Sequence, residues 1–236
     1  MNIAIVSAHP DDIEVICAGT MIKYVQKGHR VTFVIVTNGE CGSSFLSKKE
    51  TAKIRYEEAG KGAKIVGAEL IWLGFPDEFL FDCGKTRIAI LNALRMARAD
   101  VVFTHYQDYY NCDHNTVSKI TNDVGILQTV KNIETEYPPT KNNPYLYFMD
   151  TIACVGFDPD EYVDITDVFE IKKKALLAHK SQRTWLKEHS KIDYIDLIET
   201  QAKIRGYQCG VKYAEAFKGV KAWPRGIVKS ILPQYL

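Results

Sequence analysis

Short runs of apolar residues recur along this chain, each followed by a polar turn and then by a stretch whose apolar positions return at helical spacing. Ile3 to Val6 is the first run and reads as a strand, with a helix over Gly19 to Gln26 behind it. Val31 to Val36, rich in β-branched residues, reads as a strand closed by Asn38-Gly39. A polar loop with Gly42, Ser43 and Ser44 then leads into a helix from Glu50 to Val66. Leu70 to Leu73 reads as a strand, Arg87 to Ala97 as a helix, Val101 to Thr104 as a strand and Thr116 to Ile133 as a helix. The prolines and asparagines of Tyr137 to Pro144 mark a loop. Beyond it Tyr145 to Met149 and Tyr162 to Ile165 are β-like, and Ile171 to His189 is helical. Strands alternating with helices imply a parallel sheet covered on both faces. The expectation is an α/β chain: a single-domain, Rossmann-like three-layer fold over residues 1–236 with a mainly parallel sheet. No internal repeat, low-complexity segment or domain linker interrupts the pattern.

The polar turns behind two of these strands carry the candidate chemistry. Ala8-His9-Pro10-Asp11-Asp12 follows the first strand directly, where open α/β folds build their sites. His9 and Asp12 offer an imidazole and a carboxylate, a donor set that suits Zn²⁺. Asp11, between them, can take a proton from a water on the metal. A plainer account makes this segment only a polar turn with an aspartate helix cap. The second cluster, His105 to His114, follows Val101 to Thr104, so both clusters can share one rim of the sheet. His114 completes two histidines and one carboxylate and leaves a coordination position open, as a catalytic zinc site requires. Cys112 could close such a site as a fourth ligand, but no paired cysteine accompanies it.

Composition narrows the setting. A 236-residue chain with 46% hydrophobic residues can bury a substantial core in one domain. A formal charge of +1 gives no global argument for nucleic acid or an anionic membrane. The six cysteines are scattered without a C-x-x-C pair, so they read as reduced thiols and the expected compartment is the cytoplasm. No signal peptide precedes the first strand, and no apolar run approaches a membrane span.

Taken in order, these residues resemble the PIG-L/LmbE-like zinc-dependent N-deacetylases. The first signature of that family is matched by Ala8 to Asp12, Glu14 and Ala18-Gly19-Thr20, and the end of its second by Asp113-His114. Weaker matches run the length of the chain: Thr37-Asn38-Gly39, Arg55 with Glu58, Gly74-Phe75-Pro76-Asp77, Val163 to Thr166, His179 to Gln182, and Tyr213-Ala214-Glu215 with Phe217. The resemblance implies metal ligation by His9, Asp12 and His114, and a general base at Asp11. It implies an orienting carboxylate at Asp113 and substrate contacts for Arg55 and His179. The cofactor expected is Zn²⁺, one per chain, with another divalent metal as the alternative. The reaction expected is hydrolysis of the acetamide of an N-acetylglucosamine-type sugar, releasing acetate; a metal-binding member with little or no deacetylase activity is the second reading. The partner expected is a small N-acetylated sugar, with no nucleic acid and no membrane, and self-association is left open. The family's eukaryotic members are membrane-anchored, so the missing anchor points to the soluble bacterial or archaeal type.

One position departs from that pattern. Many members place a histidine three residues before the last ligand, and this chain has Asn111. An amide there can donate to an oxyanion but cannot carry a proton.

Several other residues have plain alternatives. His29, at a helix-to-strand turn, and His189, among charges, read as surface residues. His105 reads either as a core histidine or as a support of the second cluster, and His179 and Arg55 divide between structure and function. Tyr106, Tyr109 and Tyr110 either wall a sugar site or pack their own loop. Ser43 and Ser44 lack the Gly-x-Ser-x-Gly elbow of a nucleophile. A dinucleotide-binding oxidoreductase would share the alternation, but the first turn lacks Gly-x-Gly-x-x-Gly and carries acids that repel a pyrophosphate.

Overall fold

In the computed structural model, which describes residues 1–225 and 230–236, the apolar runs form β1 (Asn2–Ser7), β2 (Arg30–Thr37), β3 (Glu69–Phe75), β4 (Val101–Thr104) and β5 (Tyr145–Met149), all parallel. Two later strands, β6 (Glu161–Asp164) and β7 (Ala214–Gly219), extend the same sheet, with β7 antiparallel to both its neighbours. The seven strands lie in the order β3-β2-β1-β4-β5-β7-β6. The chain therefore winds outward from β1 to β3, returns, and continues from β4 on the other side. The loops after β1 and β4 face each other across that reversal, which is where such sheets bind ligands.

Side-chain alternation along the strands supplies two cores. Ile3 and Ile5 of β1 join Phe33, Phe103 and Tyr147 on one face, while Ala4 and Val6 join Val34, Val102 and Leu146 on the other. The first face is covered by α2 (Ala18–Gln26), α3 (Lys48–Val66), α6 (Phe169–Leu176) and α8 (Tyr194–Cys209) through Met21, Ala63, Phe169 and Ile198. The second is covered by α4 (Gly84–Ala97) and α5 (Cys112–Gly125) through Ile90, Leu94, Val117 and Ile120. Each of the large side chains buried in this way stabilises the fold by roughly 1.5–3 kcal/mol over leaving it in water. The parallel, doubly covered sheet is the one expected.

Local chemistry moves several boundaries from where the apolar pattern puts them. α3 starts at Lys48 because Ser47 and Glu50 cap it reciprocally, and it stops at Gly67, whose φ is 86°. α5 starts at Cys112 rather than Thr116 because Asn111 caps it, and it ends at Gly125, followed only by a single 3₁₀ turn over Ile126–Thr129. Ile171 to His189 is two helices, α6 and α7 (Lys180–His189), since Glu58 of α3 takes both the N–H and the hydroxyl of Ser181 and starts a new axis there. A single turn, α1 (Asp12–Ile16), precedes α2.

α8 and β7 were not visible in the apolar pattern. The inward positions of α8 include Gln201 and Arg205 beside Tyr194, Ile198 and Ala202, so its buried stripe is part polar. Arg205 is held there by two bonds to Asp150, at 2.6 and 2.7 Å. β7 buries Glu215, which accepts from the N–H groups of Gly19 and Thr20 at 2.9 and 2.7 Å and from Lys172 at 2.5 Å. Removing one partner of so buried a pair costs about 3–5 kcal/mol, so β7 locks the start of α2. All six cysteines are free thiols. Among the described residues no helix is long and apolar enough to cross a membrane.

Candidate active site

β1 delivers His9 and Asp12 by a tight turn. The Ala8 N–H donates to His105 Nε2 at 2.9 Å, and the His9 N–H donates to Asp12 Oδ2 at 2.6 Å. Asp11 sits at φ 117°, a left-handed conformation that a residue with a side chain keeps only where its surroundings hold it. Burial pushes His105 down to about 4, so it stays neutral and its Nε2 is free to accept the Ala8 N–H.

β4 delivers His114 through the cap of α5. The Asn111 side-chain oxygen accepts from the N–H groups of Asp113 and His114, at 2.9 and 3.1 Å, and so sets the first helical turn. The His114 ring is then stacked between His105, with centroids 3.9 Å apart, and Tyr109 at 5.0 Å. Of the tyrosines in the second cluster, Tyr109 packs this ring, and Tyr110 is exposed at the cavity wall.

The two deliveries meet. His9 Nδ1 lies 3.0 Å from His114 Nε2, and Asp12 oxygens lie 3.3 Å from His114 Nε2 and 3.5 Å from His9 Nδ1. Donors bound at ~2.0–2.1 Å around a tetrahedral ion stand about 3.3 Å apart, so this spacing fits a metal. Three ligand atoms with lone pairs directed into one small buried space form a group able to hold a cation. The outer nitrogen of His9 faces Asp77 Oδ1 at 3.1 Å and Asp113 Oδ2 at 3.5 Å, which fixes the ring so that Nδ1 points inward. Asp77 is anchored by the Cys41 N–H at 3.0 Å, and Asp113 by the N–H groups of Glu78 and Leu80 at 2.8 and 3.3 Å.

Asp11 stands beside this group between two other partners. Arg55 Nη2 donates to Oδ1 at 3.1 Å, and the Tyr194 hydroxyl donates to Oδ2 at 2.5 Å. Burial pushes the Asp11 carboxyl up, and the Arg55 guanidinium pulls it back. Burial also raises Tyr194, which therefore remains a neutral donor. Arg55 Nη2 and Nη1 also donate to the carbonyls of Pro10 and Gly39, at 2.6 and 3.1 Å. A Cβ at Gly39 would fall 2.5 Å from Arg55 Nη1, so only glycine leaves room for this grip. Arg55 borders the cavity, with its Nη groups engaged by Asp11 and these loop carbonyls and its buried Nε without a partner. His179 is fully buried, 3.2 Å from Glu14, and does not reach the cavity.

His9, Asp12 and His114 open into a cavity of about 380 Å³, with Glu78, Tyr110, Asn111 and Trp185 around it. This is at the small end of the roughly 300–1,000 Å³ typical of ligand pockets. Asn111, expected as an oxyanion donor, has its oxygen spent on the α5 cap and its amide nitrogen on Glu78 Oε1 at 3.3 Å. Asn111→Ala is accordingly expected to lower stability by about 1 kcal/mol, with Asn111→Ser recovering most of it. Chemical denaturation of the variants checks this; an alanine variant as stable as the parent would remove the capping role.

Two functional residues escaped the sequence. Asp77 lay in Gly74 to Asp77, noticed only as part of a resemblance. Tyr194 had no signal at all, since it belongs to the partly polar stripe of α8.

The model of the family described as PIG-L: GlcNAc-PI de-N-acetylase matches residues 4–124. A diacetylchitobiose deacetylase from Thermococcus kodakarensis is 27% identical over 227 residues, covering 91% of this chain and 81% of its own. A mycothiol S-conjugate amidase from Streptomyces coelicolor is 27% identical, covering 77% and 82%. Among solved structures, the N,N'-diacetylchitobiose deacetylase of Pyrococcus horikoshii superposes with a TM-score of 0.81 at 25% identity, over 92% of this chain and 83% of that one.

Proposed function

The chain belongs to the PIG-L family and is a metal-dependent deacetylase, and from that premise we propose that it hydrolyses the acetamide of an N-acetylglucosamine-type sugar or sugar conjugate, with zinc held by His9, Asp12 and His114. The observation that carries this reading is the convergence of those three side chains, 3.0–3.5 Å apart, beside a buried carboxylate at the floor of an open cavity.

A divalent ion in this group supplies Lewis acidity to the scissile carbonyl and to the attacking water. Asp11 takes the proton from that water and gives it to the departing amine. Its neighbours suit it to the task. Arg55 and Tyr194 hold one carboxylate oxygen each, so the carboxylate keeps a single orientation while each oxygen retains a free lone pair. Asp77 and Asp113 keep His9 turned toward the metal position, and Asn111 keeps His114 turned toward it from the other side. Arg55 acts in this scheme by positioning the base rather than by touching the sugar. His179, buried before α7, faces Glu14 of α1 rather than the sugar. The products are acetate and a free amine.

Zinc-loaded protein incubated with N-acetylglucosamine glycosides should release acetate and amine in equal amounts, and the metal-free protein should release neither. Fully loaded protein that frees no acetate from any N-acetylated sugar would rule the substrate class out.

A further inference from the structure

The stretch His179 to Gln182 supplies no metal ligand, yet its side chains reach three separate segments around the site. His179 Nε2 faces Glu14 Oε1 of α1 at 3.2 Å. Ser181 gives its N–H and hydroxyl to Glu58, which lies three residues beyond Arg55 on α3. Buried Gln182 donates from Nε2 to the Gly42 carbonyl at 2.9 Å. The first two contacts seat the start of α7, and the third reaches out from it to the turn over residues 39–42.

That turn serves both halves of the site. Its Gly39 carbonyl accepts from Arg55 Nη1 at 3.1 Å, while Arg55 Nη2 holds Asp11 Oδ1 at 3.1 Å. Its Cys41 N–H donates to Asp77 Oδ2 at 3.0 Å, and Asp77 Oδ1 faces His9 Nε2 at 3.1 Å. The Gly42 N–H closes the turn on the Gly39 carbonyl at 3.3 Å. A shift of this short backbone segment therefore moves a partner of the base and a partner of a metal ligand together. The fit around it is close. A Cβ at buried Gly42 would collide with Gln182 Nε2 and fall 2.9 Å from Arg55 Nη1. Ser44, Phe45 and Leu46, which follow, are exposed, so the Gly42 end of the turn is packed by α7 and Arg55.

We propose that Gln182 is a positioning residue for the deacetylation: by clamping Gly42 it sets, through the turn over residues 39–42, how Arg55 meets Asp11 and how Asp77 meets His9. This rests on the reading above of Asp11 as the base and His9 as a metal ligand. Loss of the amide leaves a buried carbonyl without this donor and frees the turn to shift. Small displacements of groups around a reacting centre cost rate, and displaced partners of a ligating histidine cost metal affinity.

Gln182→Met tests this, since it keeps the length of the side chain and removes the donor. In competition with a chromogenic chelator it should hold zinc at least about threefold more weakly than the parent. Fully zinc-loaded, it should hydrolyse the methyl glycoside of N-acetylglucosamine with kcat about tenfold lower and KM within about twofold of the parent. Gly42→Ala pushes the amide off the turn without removing it, so it should show both losses, and it carries the test if Gln182→Met does not fold. Ile90→Val loosens the core beneath α4 and should leave zinc affinity and kcat at parental values. Parental zinc affinity or parental kcat in Gln182→Met, a rise in KM in place of the fall in kcat, or equal losses in Ile90→Val each overturn the proposal. A parent that releases no acetate from the glycoside sinks the sugar reading instead, and zinc affinity then decides the clamp by itself. A loss of about threefold or more sustains it, and a smaller one ends it.

Discussion

Asp11→Asn is expected to keep its metal and lose turnover by a factor of about 10²–10⁴. The amide is nearly isosteric with the carboxylate, and asparagine tolerates the left-handed backbone of this position better than most residues. One amide oxygen can still accept from Arg55, and Arg55 keeps its bonds to the carbonyls of Pro10 and Gly39. What disappears is the ability to take a proton from water. Metal analysis beside kcat makes the distinction, because the three ligand side chains are untouched. A variant that matches the parent rate across the pH range would place the base elsewhere.

His114→Ala should instead empty the site. It removes one of three donors, and with it the nitrogen that lies 3.0 Å from His9 and 3.3 Å from Asp12. The protein is expected to fall from about one divalent ion per chain to a small fraction of that after dialysis, and its deacetylase rate with it. Far-UV circular dichroism separates metal loss from unfolding, since α5 keeps its Asn111 cap through the Asp113 N–H. Metal retained tightly by a folded His114→Ala protein would take His114 out of the coordination set.

What the sequence made legible was what is local in the chain. His9 and Asp12 are three residues apart behind a strand, and Asp113-His114 follow another, so pattern and chemistry coincide over a few positions. The five parallel strands were legible for the same reason: each is a short apolar run closed by turn residues. The rest depended on contacts between distant segments. Tyr194 reaches Asp11 across 183 positions, from a helix whose buried face carries Gln201 and Arg205. Asp77 serves His9 only because the loop after β3 folds over the rim. Asn111 was expected to serve as a donor to the substrate, and its place as a cap followed from where α5 begins, which apolar periodicity alone put four residues late.

The insertion of β7 between β5 and β6 has a consequence for how the protein comes into being. His9, Asp12 and His114 have all been synthesised by position 114, yet the strand that fixes α2 through Glu215 is made some 195 residues after the threonine it grips. Until that strand arrives, β5 presents an unpaired edge, and the apolar face that Phe217 will cover stays open to solvent. Such late, long-range pairing slows folding and lengthens the interval in which a nascent chain can associate with its neighbours. The residues of the candidate site are therefore encoded early, and the strand that completes the sheet around them is encoded late.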